Sequence, residues 1–172
     1  MAMTATSVIA VLDALARDGI TVSVAGGWAV DALLGQETRQ HEDLDVAIDR
    51  VLVDRALVTL RELGLEVATD QRPARIELRG AAMAVDLHPI TFGPDGMGRQ
   101  PGLTGEVFVY PRGSTDAVGV ISGRIVGCLT PELLVRFHEG YEPRGVDRSD
   151  MAALAERFGL PLPATYRVER AD

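Results

Sequence analysis

The sequence AGGWAVDALLGQETRQHEDLDVAI occupies residues 25–48 and contains the two motifs from which the rest of the chain can be assigned. It opens with Gly26-Gly27, which follow a short apolar run and precede a helical pattern. Glycines at a strand-to-helix turn let the backbone approach phosphate oxygens, and the amino terminus of a helix favours an anion. The pattern therefore predicts a strand at 21–24, a helix at 28–34 and a phosphate-binding turn between them.

The second motif is Asp43-Leu44-Asp45, where apolar and acidic residues alternate and predict a strand at 43–48. Side chains two apart in a strand point to the same face. Asp43 and Asp45 can therefore share a hard divalent cation, which prefers oxygen ligands. Asp86 is the candidate third carboxylate, because the apolar residues that alternate with it should face the core.

Three carboxylates on neighbouring strands predict a two-metal site for in-line displacement at phosphorus. One metal would activate an acceptor hydroxyl, the other would hold a triphosphate, and a nearby carboxylate would act as general base. Burying such a trio without a cation is costly, because the charges repel one another and lose water. The alternative is that Asp43 and Asp45 arise by chance in an aspartate-rich chain and lie on a solvated strand edge.

The remaining periodicity predicts helices at 4–18, 51–63, 130–139 and 147–158 and strands at 75–79, 83–88, 106–110, 118–121 and 124–128. The segment 89–105 is rich in glycine and proline, and we expect a long functional or mobile loop there. Central strands and terminal helices predict an α+β fold with a mixed β-sheet and helices packed against it. We expect one domain over residues 1–172, with its core at about 20–128 and C-terminal helices at about 130–158.

Composition excludes several classes of chemistry. The net charge of −8 disfavours a nucleic-acid partner and suits a small cationic or neutral molecule. All 17 basic residues are arginine, so a Schiff-base lysine and a P-loop lysine are excluded. The single cysteine, Cys128, allows no intrachain disulfide. With no signal peptide and no apolar run long enough for a bilayer, the sequence predicts a cytoplasmic protein without membrane contact.

Six segments carry an ordered set of motifs: 25–35, 38–45, 75–78, 85–90, 137–141 and 147–150. This set resembles the signature of the lincosamide and aminoglycoside nucleotidyltransferases, which belong to the DNA polymerase β-like nucleotidyltransferase superfamily. The resemblance spans roughly residues 20–158. The small size and the C-terminal motif look closest to the short lincosamide-modifying branch, and the resemblance implies a nucleotidyltransferase fold.

The resemblance also implies roles for the two motifs. Gly26 and Gly27 would hold the triphosphate of ATP or another NTP, and Asp43 and Asp45 would bind magnesium, with two ions expected. Asp86 would complete the carboxylate trio as a metal ligand and catalytic residue and is a candidate base. In this arrangement a nucleoside monophosphate passes to a hydroxyl of the acceptor, and pyrophosphate leaves.

Arg39 and His41 stand where the family places residues near the phosphates, although a surface arginine and a loop-capping histidine are the alternatives. Candidates for acceptor binding are Glu77, His88, His138 and Tyr141. Each of these also has a structural alternative: ion pairing for Glu77, a local role before proline for His88, and docking of the last helix for the other two. The loops at 89–105 and 111–117 are expected to shape the acceptor pocket.

The predicted activity is transfer of AMP to a small-molecule antibiotic, with a lincosamide as the expected acceptor. The alternatives are an aminoglycoside acceptor, a protein or RNA acceptor, and a nucleotide-binding protein of the same fold that has lost catalysis. Some members of the family pair their subunits around the acceptor, so a homodimer is also left open.

Overall fold

A computed structural model of the chain describes residues 2–139 and 142–166. Its helices are α1 (Ala5–Arg17), α2 (Gly26–Leu34), α3 (Val53–Glu62), α4 (Pro131–Phe137) and α5 (Gly145–Phe158). Its strands are β1 (Val22–Val24), β2 (Leu44–Asp49), β3 (Glu66–Gln71), β4 (Arg75–Arg79), β5 (Ala84–Phe92), β6 (Gly98–Pro101), β7 (Val107–Tyr110), β8 (Ala117–Ile121) and β9 (Arg124–Cys128). Short 3-10 helices cover Arg50–Leu52 and Ala164–Tyr166.

The strands form one mixed sheet in the order β3-β4-β5-β2-β1-β9-β8. Strand β6 pairs with the C-terminal end of β5, and β7 pairs with β6. Two pairs are parallel, β2 with β5 and β1 with β9, while the other neighbours are antiparallel. The predicted α+β fold with a mixed sheet is therefore confirmed. None of the described helices has the length and apolar character needed to cross a membrane.

The apolar core explains why the central strands form. Leu44, Val46 and Ile48 on β2 are at most 1% exposed, so one face of this strand lies entirely in the core. Helix α2 packs closely on β8, where a Cβ on Gly119 would lie 2.6 Å from the backbone of Ala32. Glycine at this position permits the close approach of helix and sheet. The opposite face of β2 is left for its polar residues.

Two strands were missed by the sequence analysis. Strand β3 lies at one edge of the sheet with all six of its residues partly or fully exposed, so it lacks the alternation that marks a half-buried strand. Strand β6 lies inside segment 89–105, where the prediction of a loop is wrong. Its alternate residues Gly98 and Gln100 are buried between β5 and β7, but glycine and proline disguise the pattern.

Candidate active site

A row of acidic residues crosses three adjacent strands. The parallel pairing of β2 and β5 sets Asp45 opposite Asp86, and the antiparallel pairing of β4 and β5 sets Glu77 opposite Asp86. Residues opposite each other on neighbouring strands project from the same face of a sheet. Asp43 immediately precedes β2, two residues before Asp45, and the negative charges of Asp45 and Asp86 act on it. Asp45, Asp86 and Glu77 therefore share one face of the sheet, and Asp43 lies close enough for the charges of the two aspartates to act on it.

Burial and mutual repulsion act on two of these groups. Burial raises the pKa of Asp43, and the negative charges of Asp45 and Asp86 raise it further. Burial also raises the pKa of Asp86, despite a hydrogen bond of 2.8 Å from Arg79. A nearby cation stabilises the ionised form of such carboxylates, because it offsets both their mutual repulsion and the cost of their desolvation.

Asp45 differs because it has a strong polar partner. Burial alone would raise the pKa of Asp45, but the hydrogen bond from His88 and the positive charges of Arg75 and Arg79 hold it below its ordinary value. His88 Nε2 lies 2.9 Å from Asp45 Oδ1. The other oxygen, Oδ2, faces Gly26, where a Cβ would lie only 2.1 Å away. Gly26 has a φ of +57°, so glycine meets both the backbone and the space requirement.

The oxygen donors suit Mg²⁺, a hard cation that is bound through carboxylates and substrate phosphates. Among the described residues, no group of three or more His, Cys, Asp or Glu side chains is already arranged around a metal position. Asp86 is instead turned to Arg79, and Asp45 is turned to His88. A cation that uses Asp86 Oδ1 must therefore displace the guanidinium of Arg79.

Arg39 and His41 both lie against the second glycine of the turn. A Cβ on Gly27 would lie 2.5 Å from Arg39 Nη2 and 2.4 Å from His41 Nδ1. This position at the amino terminus of α2 is the one that the sequence analysis assigned to phosphate-binding residues. Both side chains also have carboxylate partners that the sequence analysis did not assign to them.

Those partners are two buried aspartates. Asp150 on α5 binds Arg39 with an N–O distance of 2.8 Å and is only 5% exposed. Asp31 on α2 contacts His41 Nε2 and also accepts a hydrogen bond of 3.0 Å from the backbone N–H of Thr38. Asp31 thereby fixes the loop between α2 and β2. Asp31 and Asp150 both lie within the motif segments, and this position is the only feature of the sequence that could have indicated a role for them at the site.

A cleft of about 490 Å³ opens beside Asp45. Its polar lining includes His88, His138, Gln100, Glu106 and Arg75, and its apolar walls are formed by Leu103, Phe108, Leu134 and Phe137. His88 and His138, two candidates for acceptor binding, therefore lie in the cleft. Glu77, the third candidate, is not among the described residues that line the cleft. It forms ion pairs with Arg75 at 2.6 Å and with Arg79 at 3.6 Å. Tyr141 lies outside the described residues.

Comparison with solved structures shows that the chain has the fold of a nucleotidyltransferase. The crystal structure of the lincosamide antibiotic adenylyltransferase LnuA, bound to lincomycin, matches with a TM-score of 0.79 at 26% identity and covers 90% of this chain and 98% of that chain. A nucleotidyltransferase-like protein from Paracoccidioides brasiliensis, 17% identical, shares the fold with a TM-score of 0.58 and covers 91% of this chain and 79% of that one.

Sequence comparison gives the family. The chain is 28% identical to a lincosamide resistance protein of Staphylococcus haemolyticus over 145 residues, which covers 84% of this chain and 89% of that protein. It is 27% identical to a 2''-aminoglycoside nucleotidyltransferase of Klebsiella pneumoniae over 127 residues, or 73% of this chain and 67% of that protein. The profile of the aminoglycoside-2''-adenylyltransferase family matches residues 7–154, so the chain belongs to this family. The resemblance to lincosamide and aminoglycoside nucleotidyltransferases is thereby confirmed.

Proposed function

We propose that this protein transfers the AMP group of ATP to a hydroxyl of a lincosamide antibiotic and releases pyrophosphate. The observation that carries this proposal is the pairing of Asp45 with Asp86 on one face of the sheet, with Gly26 against Asp45. A candidate phosphate-binding turn then lies against one carboxylate, Asp45, whose strand partner Asp86 supplies the second. The similarity to lincosamide-modifying proteins supports the choice of acceptor.

The turn at Gly26 and Gly27 binds the triphosphate. Neither glycine has a side chain that would block a phosphate oxygen, and α2 presents its amino terminus there. Arg39 adds positive charge beside Gly27, although its ion pair with Asp150 offsets part of that charge. His41 is only 3% exposed, so its role is to pack against Gly27 and stabilise the turn.

Asp43, Asp45 and Asp86 would hold magnesium, and we expect two ions because a two-metal site suits in-line displacement at phosphorus. Mg²⁺ bound there neutralises charge on the triphosphate and on the departing pyrophosphate. Asp45 offers Oδ2, because Oδ1 is occupied by His88. Asp86 is also the candidate general base, because its carboxylate lies opposite Asp45 on the same face of the sheet and an ionised carboxylate can take the proton of the acceptor hydroxyl.

The cleft beside Asp45 binds the acceptor. Phe108 and Phe137 give it an apolar wall, while Glu106 adds a negative charge at the rim. This combination suits an amphipathic molecule with an apolar substituent and a basic amine. His138 lines the same cleft and is the candidate for orienting an acceptor hydroxyl, whereas both ring nitrogens of His88 already contact Asp45 and Gln100.

An aminoglycoside is the second candidate acceptor, because the matching family profile and one relative carry that specificity in their names. The apolar wall of the cleft favours the lincosamide, since an aminoglycoside is polycationic and has little apolar surface. A single assay separates the two acceptors.

The test is incubation of the protein with ATP, MgCl₂ and either lincomycin, clindamycin or tobramycin, followed by mass spectrometry of the antibiotic. We expect the lincosamides to gain one AMP and pyrophosphate to be released, and chelation of magnesium by EDTA should stop the reaction. An adduct on tobramycin alone would favour the aminoglycoside. No adduct on any of them would overturn the proposed acceptor class.

The Asp45→Asn variant separates an enzyme from a non-catalytic binding protein. It keeps the side-chain volume but removes the negative charge, so transfer should fall by more than about 100-fold, since even outer-shell partners of metal ligands cost 10–100-fold. Asp49→Asn is the matched control, because Asp49 lies on the same strand and caps the next helix through the N–H of Val51. Equal activity of the two variants would contradict the proposal.

A further inference from the structure

A chain of hydrogen bonds runs behind Asp45 through side chains that the proposed reaction does not use directly. The hydroxyl of Tyr110 on β7 lies 2.6 Å from Oε1 of Gln100 on β6. Gln100 Nε2 lies 3.1 Å from Nδ1 of His88, whose Nε2 is 2.9 Å from Asp45 Oδ1. Gln100 and Tyr110 are only 6% and 3% exposed, so water does not compete freely for these bonds.

The direction of each bond in this chain follows from one fixed acceptor. Gln100 Nε2 also lies 2.8 Å from the backbone carbonyl of Ala74, which can only accept. The amide nitrogen must therefore face Ala74, and the amide oxygen faces the hydroxyl of Tyr110. The second hydrogen of the amide points to His88 Nδ1, which must accept it. A neutral His88 then carries its proton on Nε2 and donates it to Asp45.

The β6–β7 hairpin is built to bring Gln100 to this position. Gly98 pairs with Tyr110 and Gln100 pairs with Phe108, so Gln100 and Tyr110 project from one face of the hairpin. A Cβ on Gly98 would lie 2.6 Å from Ile90 and 3.0 Å from the Cβ of Tyr110. Glycine at this position lets the hairpin close against β5, which carries His88.

We propose that Gln100 is a positioning residue that sets the tautomer of His88 and thereby orients Asp45 for magnesium. With Nε2–H of His88 bound to Oδ1, the carboxylate keeps Oδ2 directed at Gly26. Outer partners of metal ligands commonly fix the orientation of the ligand in this way. The role of Asp45 as a ligand rests on the proposed function, whereas the hydrogen-bond chain is a property of the metal-free protein.

The first test is nitrogen NMR of the metal-free protein grown with isotope-labelled histidine. The chain has three histidines, so the His88→Asn variant assigns the ring signals of His88 by their disappearance. In the wild type, we expect the proton on Nε2. Gln100→Leu removes the donor and should release this preference. Gln100→Glu presents an acceptor to Nδ1 and should move the proton there.

The second test is the magnesium concentration that gives half-maximal AMP transfer. We expect it to rise by at least about tenfold in Gln100→Leu and in Gln100→Glu. Thr59→Val is the matched control: Thr59 is a buried hydroxyl on α3 that bonds Asp18, away from the cleft lining. It should change neither the tautomer nor the magnesium dependence.

A proton on Nδ1 of His88 in the wild type would overturn the inference. Unchanged tautomer and magnesium dependence in both Gln100 variants would overturn it equally. If the wild type transfers no AMP, the proposed function fails, but the NMR result still decides whether Gln100 controls His88.

Discussion

Asp45 and Asp86 lie opposite each other on the parallel strands β2 and β5, although they are far apart in the sequence. Their side chains share one face of the sheet. His88 binds one oxygen of Asp45, and Arg79 binds one oxygen of Asp86. A Cβ on Gly26 would lie 2.1 Å from Oδ2 of Asp45, the oxygen that His88 does not bind. The proposed metal dependence, nucleotide binding and pH dependence all follow from this pairing.

Gly26 should be intolerant of a side chain because of Asp45 rather than because of its backbone. In Gly26→Ala, the new Cβ would lie 2.1 Å from Asp45 Oδ2, so the carboxylate must move. We expect a loss of about 1 kcal/mol in stability from the left-handed backbone and a loss of activity of more than about 100-fold.

Gly35→Ala is the control for the backbone effect. Gly35 has a similar φ of +73°, but no heavy atom of the described residues outside its immediate neighbourhood would lie within 4 Å of its Cβ. It should lose similar stability in thermal melts and retain AMP transfer. If both variants retain activity, close contact between Gly26 and Asp45 does not matter for the reaction.

Magnesium should stabilise the folded protein in the absence of nucleotide. The pKa values of Asp43 and Asp86 are raised above the ordinary 3.8, so the folded chain holds these protons more tightly than the unfolded chain. These two groups therefore lower the free energy of unfolding as the pH rises from about 3.8 through their raised pKa values, and the loss persists at higher pH. At neutral pH, Mg²⁺ at a hundredfold excess over its Kd should add about 2.7 kcal/mol and raise Tm by roughly 5–10 °C.

The measurement is thermal unfolding with MgCl₂ against NaCl of the same ionic strength. Asp45→Asn should lose most of the magnesium-dependent rise in Tm. A rise of equal size in NaCl, or in Asp45→Asn, would contradict a specific cation site at these carboxylates.

Arg79 should set the acidic limb of the pH profile. Its hydrogen bond and positive charge lower the pKa of Asp86 against the raising effect of burial. In Arg79→Met, the pKa of Asp86 should rise further, and a base works only when ionised. The acidic limb of kcat/KM should therefore move to higher pH.

Arg61→Met is the matched control for this profile, because Arg61 is an exposed arginine paired with Glu66 at 3.5 Å. It should leave the acidic limb in place. An acidic limb that stays in place in Arg79→Met would exclude Asp86 as the group that titrates in the profile.

Arg39 has both a structural partner and a proposed phosphate contact, and a double variant separates them. Arg39→Met leaves Asp150 buried without its ion-pair partner and should cost about 3 kcal/mol. Adding Asp150→Leu removes the buried charge and should restore most of the stability. If Arg39 contacts the triphosphate, KM for ATP stays raised in the double variant. Recovery of both stability and KM would assign Arg39 a structural role alone.

Much of the site could be predicted from local patterns. The alternation around Asp43 and Asp45 and the exclusion of Asp86 from the apolar face follow from the two-residue period of a strand, and the glycine pair between a strand and a helix predicts the turn. This period is set by covalent geometry, so it holds before any tertiary contact forms. The family resemblance then linked these separate segments.

The partnerships of the site depended on the tertiary structure. The register that sets Asp45 opposite Asp86, and Glu77 opposite Asp86, is fixed by how distant strands bury their apolar faces together. Gln100 lies in a segment whose glycines and prolines predict a loop. The segment forms strand β6 only because it pairs with β5 on one side and with β7 on the other. Local sequence specifies which face a side chain takes, but non-local packing decides which residues it meets there.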